Sequence, residues 1–394
     1  MGLDNLKTKD TFLEGKEIVL GLSGGMDSIV LLHYLHTHFP NNLRVVHCNH
    51  HLSKHCDDWN VFCQKLCKNL NIPYKNINLY LEKSSNIEEN ARKKRYLSLS
   101  CDLNTDEVLC TAHHQNDQAE TLLLQLFRGS GVAGLASMPQ QKPLGSGIHY
   151  RPMLGIEKQQ VIDYATEHKL NWIEDDSNKD TNFRRNFLRL EIIPNLSKIY
   201  KNLAKTLSRS AKHQSEALKL TRELAVIDLE QRCIINQEGR IQIDTLTGLE
   251  THRIKNILRY HLNDLQFLAP SDKIMSQIID LLSAKTDANP LVQWESFKIR
   301  RYQSQLYFID DNQSENLEKC PFHAEFENLP NFSIRHRSEG QRIQLPGKKH
   351  SQSLKKLLQE AGIPPWERNS LKMYYIDDEL RAMEQLGRMQ HAES

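Results

Sequence analysis

A chain of 394 residues can bury two or three separate cores, and 51 basic against 49 acidic residues leave a net charge of only +2, so any polyanion-binding surface must be local. The polar start MGLDNLKTKD lacks the apolar core of a secretion signal, and no apolar run approaches the ~20 residues of a membrane span. Eight cysteines without a CxxC pair predict reduced thiols, and together these features predict a cytoplasmic protein without membrane contact.

Ile18 to Leu20 is a short apolar run, and Ile29, Val30, Leu31, Leu32 and Leu35 recur at helical spacing. The stretch therefore predicts strand, tight turn, helix. The turn is Ser23-Gly24-Gly25-Met26-Asp27-Ser28. Its glycines let the backbone approach a ligand, and the new helix presents unpaired N–H groups and a positive dipole end, which together favour phosphate. Ser23 and Ser28 add hydroxyl donors, while Asp27 beside phosphate calls for Mg²⁺ or an ammonium. A plain βα turn with Ser28 as N-cap is the alternative. The loop is neither GxxxxGK[ST] nor GxGxxG. It resembles the pyrophosphatase loop of the N-type ATP-pyrophosphatase (PP-loop) family, whose members split ATP into AMP and pyrophosphate and use the AMP to activate a carbonyl oxygen.

Beyond the first helix, the pattern predicts strands at Leu43–Cys48, Ile72–Leu79 and Glu107–Ala112, alternating with helices at Asp57–Leu70, Ile87–Leu99 and Asn116–Phe127. Such alternation predicts an α/β fold with a doubly wound parallel sheet, ligands binding at the carboxyl ends of the strands. His47, Cys48, His50, His51, His55 and Cys56 offer zinc ligands after the second strand, but strand alternation turns several of them apart and favours a polar loop beside a nucleotide. Arg92 and Arg95, three apart on a helix, can clamp phosphates or form a solvated face. Asp117 and Glu120 share one face of a helix start that follows His113 and His114. One such carboxylate would be ordinary dipole compensation, but two with two histidines at a strand's carboxyl end point to a site. Arg128 enters the next loop. After Arg151-Pro152-Met153-Leu154, a helix is expected at Lys158–His168, then an acidic turn from Glu174, then Arg184, Arg185 and Arg189, the last two spaced to share a helical face.

SGGMDS, VHCNHHLS, IEENARKKRY, AHHQNDQAETLLLQLFRGSGVAGL, RPML and EDDSN…FRRNFLR, in this order and spacing, resemble the tRNA(Ile)-lysidine synthetase family over residues 18 to 196. IRHRSEGQRIQL and SLKKLLQEAGIPPWERNSLKMYYIDDEL resemble that family's C-terminal domain. The resemblance implies an ATP-dependent ligase that adenylates the C2 oxygen of the wobble cytidine in the CAU anticodon of a tRNA(Ile). Free L-lysine then displaces AMP to give lysidine. ATP is expected at Ser23, Gly24, Gly25, Met26, Asp27, Ser28 and His113, with Mg²⁺ on Asp27 and Asp117. The expected catalytic residues are Asp27, Asp117, Glu120 and Arg185, the last three also holding lysine; which carboxylate serves metal and which lysine stays open. Arg92, Arg95, Arg128, Arg189, Arg337, Arg342 and Arg368 are the expected tRNA contacts. The cysteine pairs of tRNA-thiolating enzymes, the nearest rival, are missing.

Lys198 to Asp310 reads as mainly helical, with Lys201, Lys205, Arg209, Lys212 and Lys219 along one long segment, and Asp310–Cys320 reads as a linker. The expected domains are 1–197 for catalysis, 198–312 helical and tRNA-binding, and a small α+β domain at 320–394. After Leu380 the family continues with an apolar strand where this chain turns polar, RAMEQLGRMQHAES, so the last domain is expected to be incomplete or divergent. A homodimer is left open.

Overall fold

The computed structural model describes residues 11–51, 55–80, 87–175, 179–284, 289–312, 325–326, 328–338, 340–343, 351–384 and 386–388. Leu52, Ser53, Asp176 to Asn178, most of the expected linker, Lys348, Lys349 and everything beyond 388 lie outside them. The chain divides into two compact units, residues 1–221 and 222–394. The division falls inside a long helix, Leu203–Arg232. No described helix is long and apolar enough to cross a membrane.

In the first unit β1 (Ile18–Gly21), α1 (Met26–His38), β2 (Leu43–Asn49), α2 (Cys56–Asn69), β3 (Tyr74–Asn78), α3 (Ile87–Asp102), β4 (Val108–Cys110) and α4 (Gln115–Phe127) alternate as the periodicity predicts. A one-turn helix, α5 (Val132–Leu135), a hairpin of β5 (Gln141–Leu144) and β6 (Gly147–Tyr150), and α6 (Lys158–Glu167) follow. The sheet order is β3-β2-β1-β4-β6-β5, parallel except for β5, which runs antiparallel to β6. β1 is covered on both faces, which is why it is apolar at consecutive positions. Ile18 and Leu20 pack with Leu31, Leu35 and Val161, and Val19 packs on the other side with Leu99, Leu103 and Leu109. Ile18, Val19 and Leu20 are each no more than 1% exposed, a burial that contributes about 1.5–3 kcal/mol per side chain.

The chain begins in the middle of this sheet, moves outward through β2 to β3, and returns to β4 on the other side of β1. The loops leaving β1 and β4 therefore diverge at a topological switch point and open a crevice between the glycine turn and the start of α4. The β5–β6 hairpin, which periodicity did not reveal, closes the edge. At its tip Gly145 has φ +55°, and a Cβ there would lie 2.3 Å from the Ser100 carbonyl oxygen, so only glycine fits against α3. After α6 the chain forms α7 (Arg184–Phe187), a widened π turn (Leu188–Ile192) and α8 (Ile193–Ile199). Pro194 has no N–H for the carbonyl four residues back, a local cause for the wide turn.

The second unit is helical through α10 (Thr251–Asp264) and α11 (Asp272–Ser283), α9 being the long helix Leu203–Arg232. The mainly helical reading missed an antiparallel sheet of β7 (Ile241–Gln242), β8 (Leu291–Trp294), β9 (Phe297–Tyr302) and β10 (Gln305–Asp310), ordered β7-β10-β9-β8. Ile299 and Leu306 pack from it onto Ile257, Leu258 and Ile278. The C-terminal part places α12 (Leu354–Glu360) with a sheet of β11 (Phe332–Arg335), β14 (Met373–Ile376), β15 (Glu379–Met383) and β16 (Gly387–Arg388), beside a small β12–β13 pair (Arg342–Ile343, Gln352–Ser353). The chain stays in a strand past Leu380. Ala382 and Met383 are at most 1% exposed in β15, two buried residues between charged neighbours being too few to register as an apolar run.

Candidate active site

The glycine turn is held by its own serines. Ser28 Oγ donates to the Gly25 carbonyl at 2.8 Å and lies 3.0 Å from Ser23 Oγ. Gly24 stands at φ +88°, and a Cβ on it would meet Ile173 Cδ1 at 3.0 Å and Cys63 Sγ at 3.2 Å, so this position requires glycine twice over. Gly25 caps α1 and Met26 opens it, which sets the free N–H groups of the first turn and Asp27 at the mouth of the crevice.

Asp27 is already paired. Lys158, the first residue of α6, puts Nζ 2.5 Å from Asp27 Oδ1, and His114 Nε2 lies 3.6 Å from Asp27 Oδ2. Burial opposes ionisation of Asp27, but His114 and Lys158 outweigh it and bring the carboxyl down to about 2. The same His114 nitrogen lies 3.5 Å from Asp117 Oδ2, so one imidazole joins the glycine turn to the acidic start of α4. Asp117 also accepts the His114 backbone N–H at 2.9 Å, a helix-capping bond.

Glu120, 1% exposed, lies one turn further along α4. Arg189 forks onto it at 2.7 and 2.9 Å and reaches Asp117 Oδ1 at 3.1 Å, while Arg185 Nε lies 3.1 Å from Glu120 Oε2 and its Nη2 donates to Thr121 Oγ1 at 2.7 Å. The spacing of Arg185 and Arg189 thus turns both to α4. Arg189, expected on tRNA, lies in this acid cluster. Burial pushes the Glu120 carboxyl up while Arg189 pulls it down. Both Glu120 oxygens are paired with arginines, Oε1 with Arg189 and Oε2 with Arg189 and Arg185.

His113 faces the other way. Its Nδ1 lies 2.8 Å from Thr111 Oγ1, which is also 2.8 Å from Nε2 of the fully buried His149. Arg151, 2% exposed, contacts His149 Nδ1 at 3.2 Å and donates to the Pro139 carbonyl. Arg92, Arg95 and Lys142 stand over the ring of Tyr96 at 5.2, 5.3 and 5.6 Å. Burial first, and then these cations, hold His149 down to about 2 and His113 well below its ordinary value, so both imidazoles are neutral.

The other expected tRNA contacts scatter. Arg128 ends α4 and lines a cavity of about 520 Å³ with Phe127, Arg184 and Phe187. In the second unit Arg337 lines a cavity of about 530 Å³ with Lys355, Arg368 and Asn369. Arg342 donates to the Ser351 carbonyl at 2.5 Å. Arg368 is 6% exposed and donates to the Ile363 carbonyl and the Tyr302 hydroxyl. Lys158, Thr111 and His149 were missed. For Lys158 a signal existed, because a cation at a helix start opposes the dipole and implies a specific anionic partner.

Residues 3–196 match the profile of a PP-loop domain, residues 242–307 a TilS substrate binding domain, and residues 332–394 a TilS substrate C-terminal domain. A tRNA(Ile)-lysidine synthase of Coxiella burnetii is 35% identical over 96% of this chain and 90% of its own. The chain belongs to the tRNA(Ile)-lysidine synthase family. A second tRNA(Ile)-lysidine synthase, from Legionella pneumophila (strain Paris), is 36% identical over 93% of this chain and 90% of its own. Among solved structures, a U34-tRNA thiolase from Methanococcus maripaludis aligns over 54% of this chain and 80% of its own, at 18% identity and a TM-score of 0.44. Within the lysidine synthase family the glycine turn belongs to the PP-loop domain, as does the whole cluster from Asp27 to Arg189.

Proposed function

We propose that this chain ligates L-lysine to C2 of the wobble cytidine of a tRNA(Ile) with a CAU anticodon, consuming ATP and releasing AMP and pyrophosphate. One observation carries the reading. A phosphate-binding turn and an acid cluster suited to an ammonium meet through His114 at the switch point of the sheet. In the first step the cytosine O2 attacks the α-phosphorus of ATP and pyrophosphate leaves, with the turn from Ser23 to Ser28 and neutral His113 serving the nucleotide. In the second step the lysine side-chain amine attacks C2, a C–N bond forms, and the C–O bond breaks to release AMP with the cytosine oxygen.

A lysine amine, at a reference pKa of about 10.4, arrives protonated and must lose that proton before it attacks. Asp27, held at about 2, is a weak base and serves as an anchor for cations. Asp117, between His114 and Arg189, is the carboxylate we assign to the lysine ammonium and its proton, with Arg185 pairing the substrate carboxylate. Asp27 and Asp117 also offer the hard oxygens Mg²⁺ takes, and such an ion supplies charge for the leaving phosphate. Lys158 occupies the place against Asp27, so the fit requires its ammonium to move toward phosphate. The test combines ATP, lysine and a tRNA transcript and weighs the wobble nucleoside. A lysine-sized gain with AMP release supports the reading; a sulfur-sized gain, or ADP release, ends it. A cytoplasmic location, where these substrates meet, belongs to the same proposal.

A further inference from the structure

The loop after β2 carries chemistry that this reaction does not use. β2 ends at Asn49, so His51 stands beyond the strand, in the left-handed region at φ 51°, where strand alternation no longer directs its side chain. Its Nδ1 lies 3.9 Å from Cys56 Sγ and 3.9 Å from Asp57 Oδ1, and Cys56 Sγ lies 3.9 Å from the same Asp57 oxygen. The three donor atoms form an equilateral triangle. An ion at its centre would stand about 2.3 Å from each corner, against ~2.3 Å for a zinc–sulfur bond and ~2.0–2.2 Å for zinc–nitrogen and zinc–oxygen bonds. Closing the triangle by a few tenths of an ångström gives a tetrahedral base. Among the described residues, this is the one group of such side chains whose donor atoms come so close together.

The surroundings orient the donors. His51 Nε2 lies 3.2 Å from Asn78 Oδ1, an oxygen that only accepts, so the ring proton sits on Nε2 and the Nδ1 lone pair faces the triangle. Asn76 Nδ2 donates to that Asn78 oxygen at 3.0 Å, and the His51 ring stacks on Tyr80 at 5.8 Å. From the end of β2, Asn49 accepts the His51 backbone N–H at 3.0 Å and donates to Asp57 Oδ1 at 3.2 Å. One asparagine thus supports both ends of the donor set.

We propose that His51, Cys56 and Asp57 form a binding site for a zinc-class divalent ion. Imidazole, thiolate and carboxylate suit Zn²⁺ or Co²⁺, whereas Mg²⁺ takes oxygen donors. Three protein donors leave a position for water, and the exposure of His51 and Asp57 makes the ion exchangeable. Binding ties His51, just beyond β2, to the first turn of α2. The site is independent of the lysine-ligation reading and stands or falls separately from it.

The test titrates full-length, chelator-stripped protein with Co²⁺ in excess Mg²⁺ and a non-thiol reductant. One equivalent binds with a near-ultraviolet thiolate-to-cobalt band that Zn²⁺ removes. Cys56→Ser abolishes the band, Asn78→Ala, which touches no ion, weakens binding roughly 10–100-fold, and Cys233→Ser on another helix end changes nothing. Circular dichroism confirms that each variant is folded. Survival of the band in Cys56→Ser, or uptake no tighter in the parent than in Cys56→Ser, overturns the site.

Discussion

His113 and His114 leave the carboxyl end of β4 side by side, yet one faces cations and the other carboxylates. His114 lies between Asp27 and Asp117, whereas His113 joins Thr111 and His149 beneath Arg151. Extended backbone sends successive side chains to opposite sides, and here that sorts two identical residues into opposite fields. The crevice consequently has a wall suited to an ammonium and a wall suited to phosphate. A reaction that brings a free amino acid to an adenylated base needs both.

The largest effect should come from breaking the acidic wall alone. Asp117→Asn lowers kcat/KM for lysine transfer by roughly a thousandfold, while lysine-independent pyrophosphate release with tRNA and ATP changes by less than about tenfold. Parallel loss of both half-reactions would mean that the walls do not act separately. Glu120→Gln tests the support beneath that wall. Removing the partner of two arginines costs about 2–3 kcal/mol in denaturant unfolding, below the full cost of a severed buried pair because the Arg189 side chain is 40% exposed.

Acid separates the walls in a second way. His149 is held at about 2 in the fold and titrates near 6.5 when unfolded, so the unfolded chain binds more protons below 6.5 and stability is lost as pH falls there. The expected slope is about 1.4 kcal/mol per pH unit for this one group, and His149→Gln should remove it between roughly pH 6 and 5. Asp27 acts in the same direction in a lower window, its folded value being depressed from 3.8 to about 2, so its contribution is complete above 3.8 and disappears only as pH falls toward 2. Unfolding free energies across this range, compared with Lys158→Met, assign each window to its wall. The smallest effect concerns tRNA: Arg95→Ala should reduce the slope of log affinity against log salt by about 0.7–0.9, as one lost phosphate contact requires. An unchanged slope would remove Arg95 from the phosphate-binding wall.

The central strand and its glycine turn were legible because a twice-covered strand is apolar at consecutive positions and a tight βα turn demands glycine. Asp117 and Glu120 were legible because three residues separate neighbours on a helix face. The hairpin at Gln141–Tyr150 and the strands at Leu291–Asp310 were not, since a strand such as FKIRRY buries only Ile299 and Tyr302 among charged residues and shows no clean alternation. The metal reading at the second loop was weakened by an alternation argument that holds on β2 and ends at Asn49, two residues before His51.

By itself, the sequence determined the alternating α/β order, the family, and the phosphate-binding and acidic turns, because each is written in contacts a few residues apart. The tertiary structure alone decided who shares those turns. Lys158 meets Asp27 across 131 residues, Arg189 meets Glu120 across 69, and Thr111 meets His149 across 38. Such pairings depend on which strand lies beside β1 and how α6 and α7 pack back over the crevice, and no spacing along the chain records that.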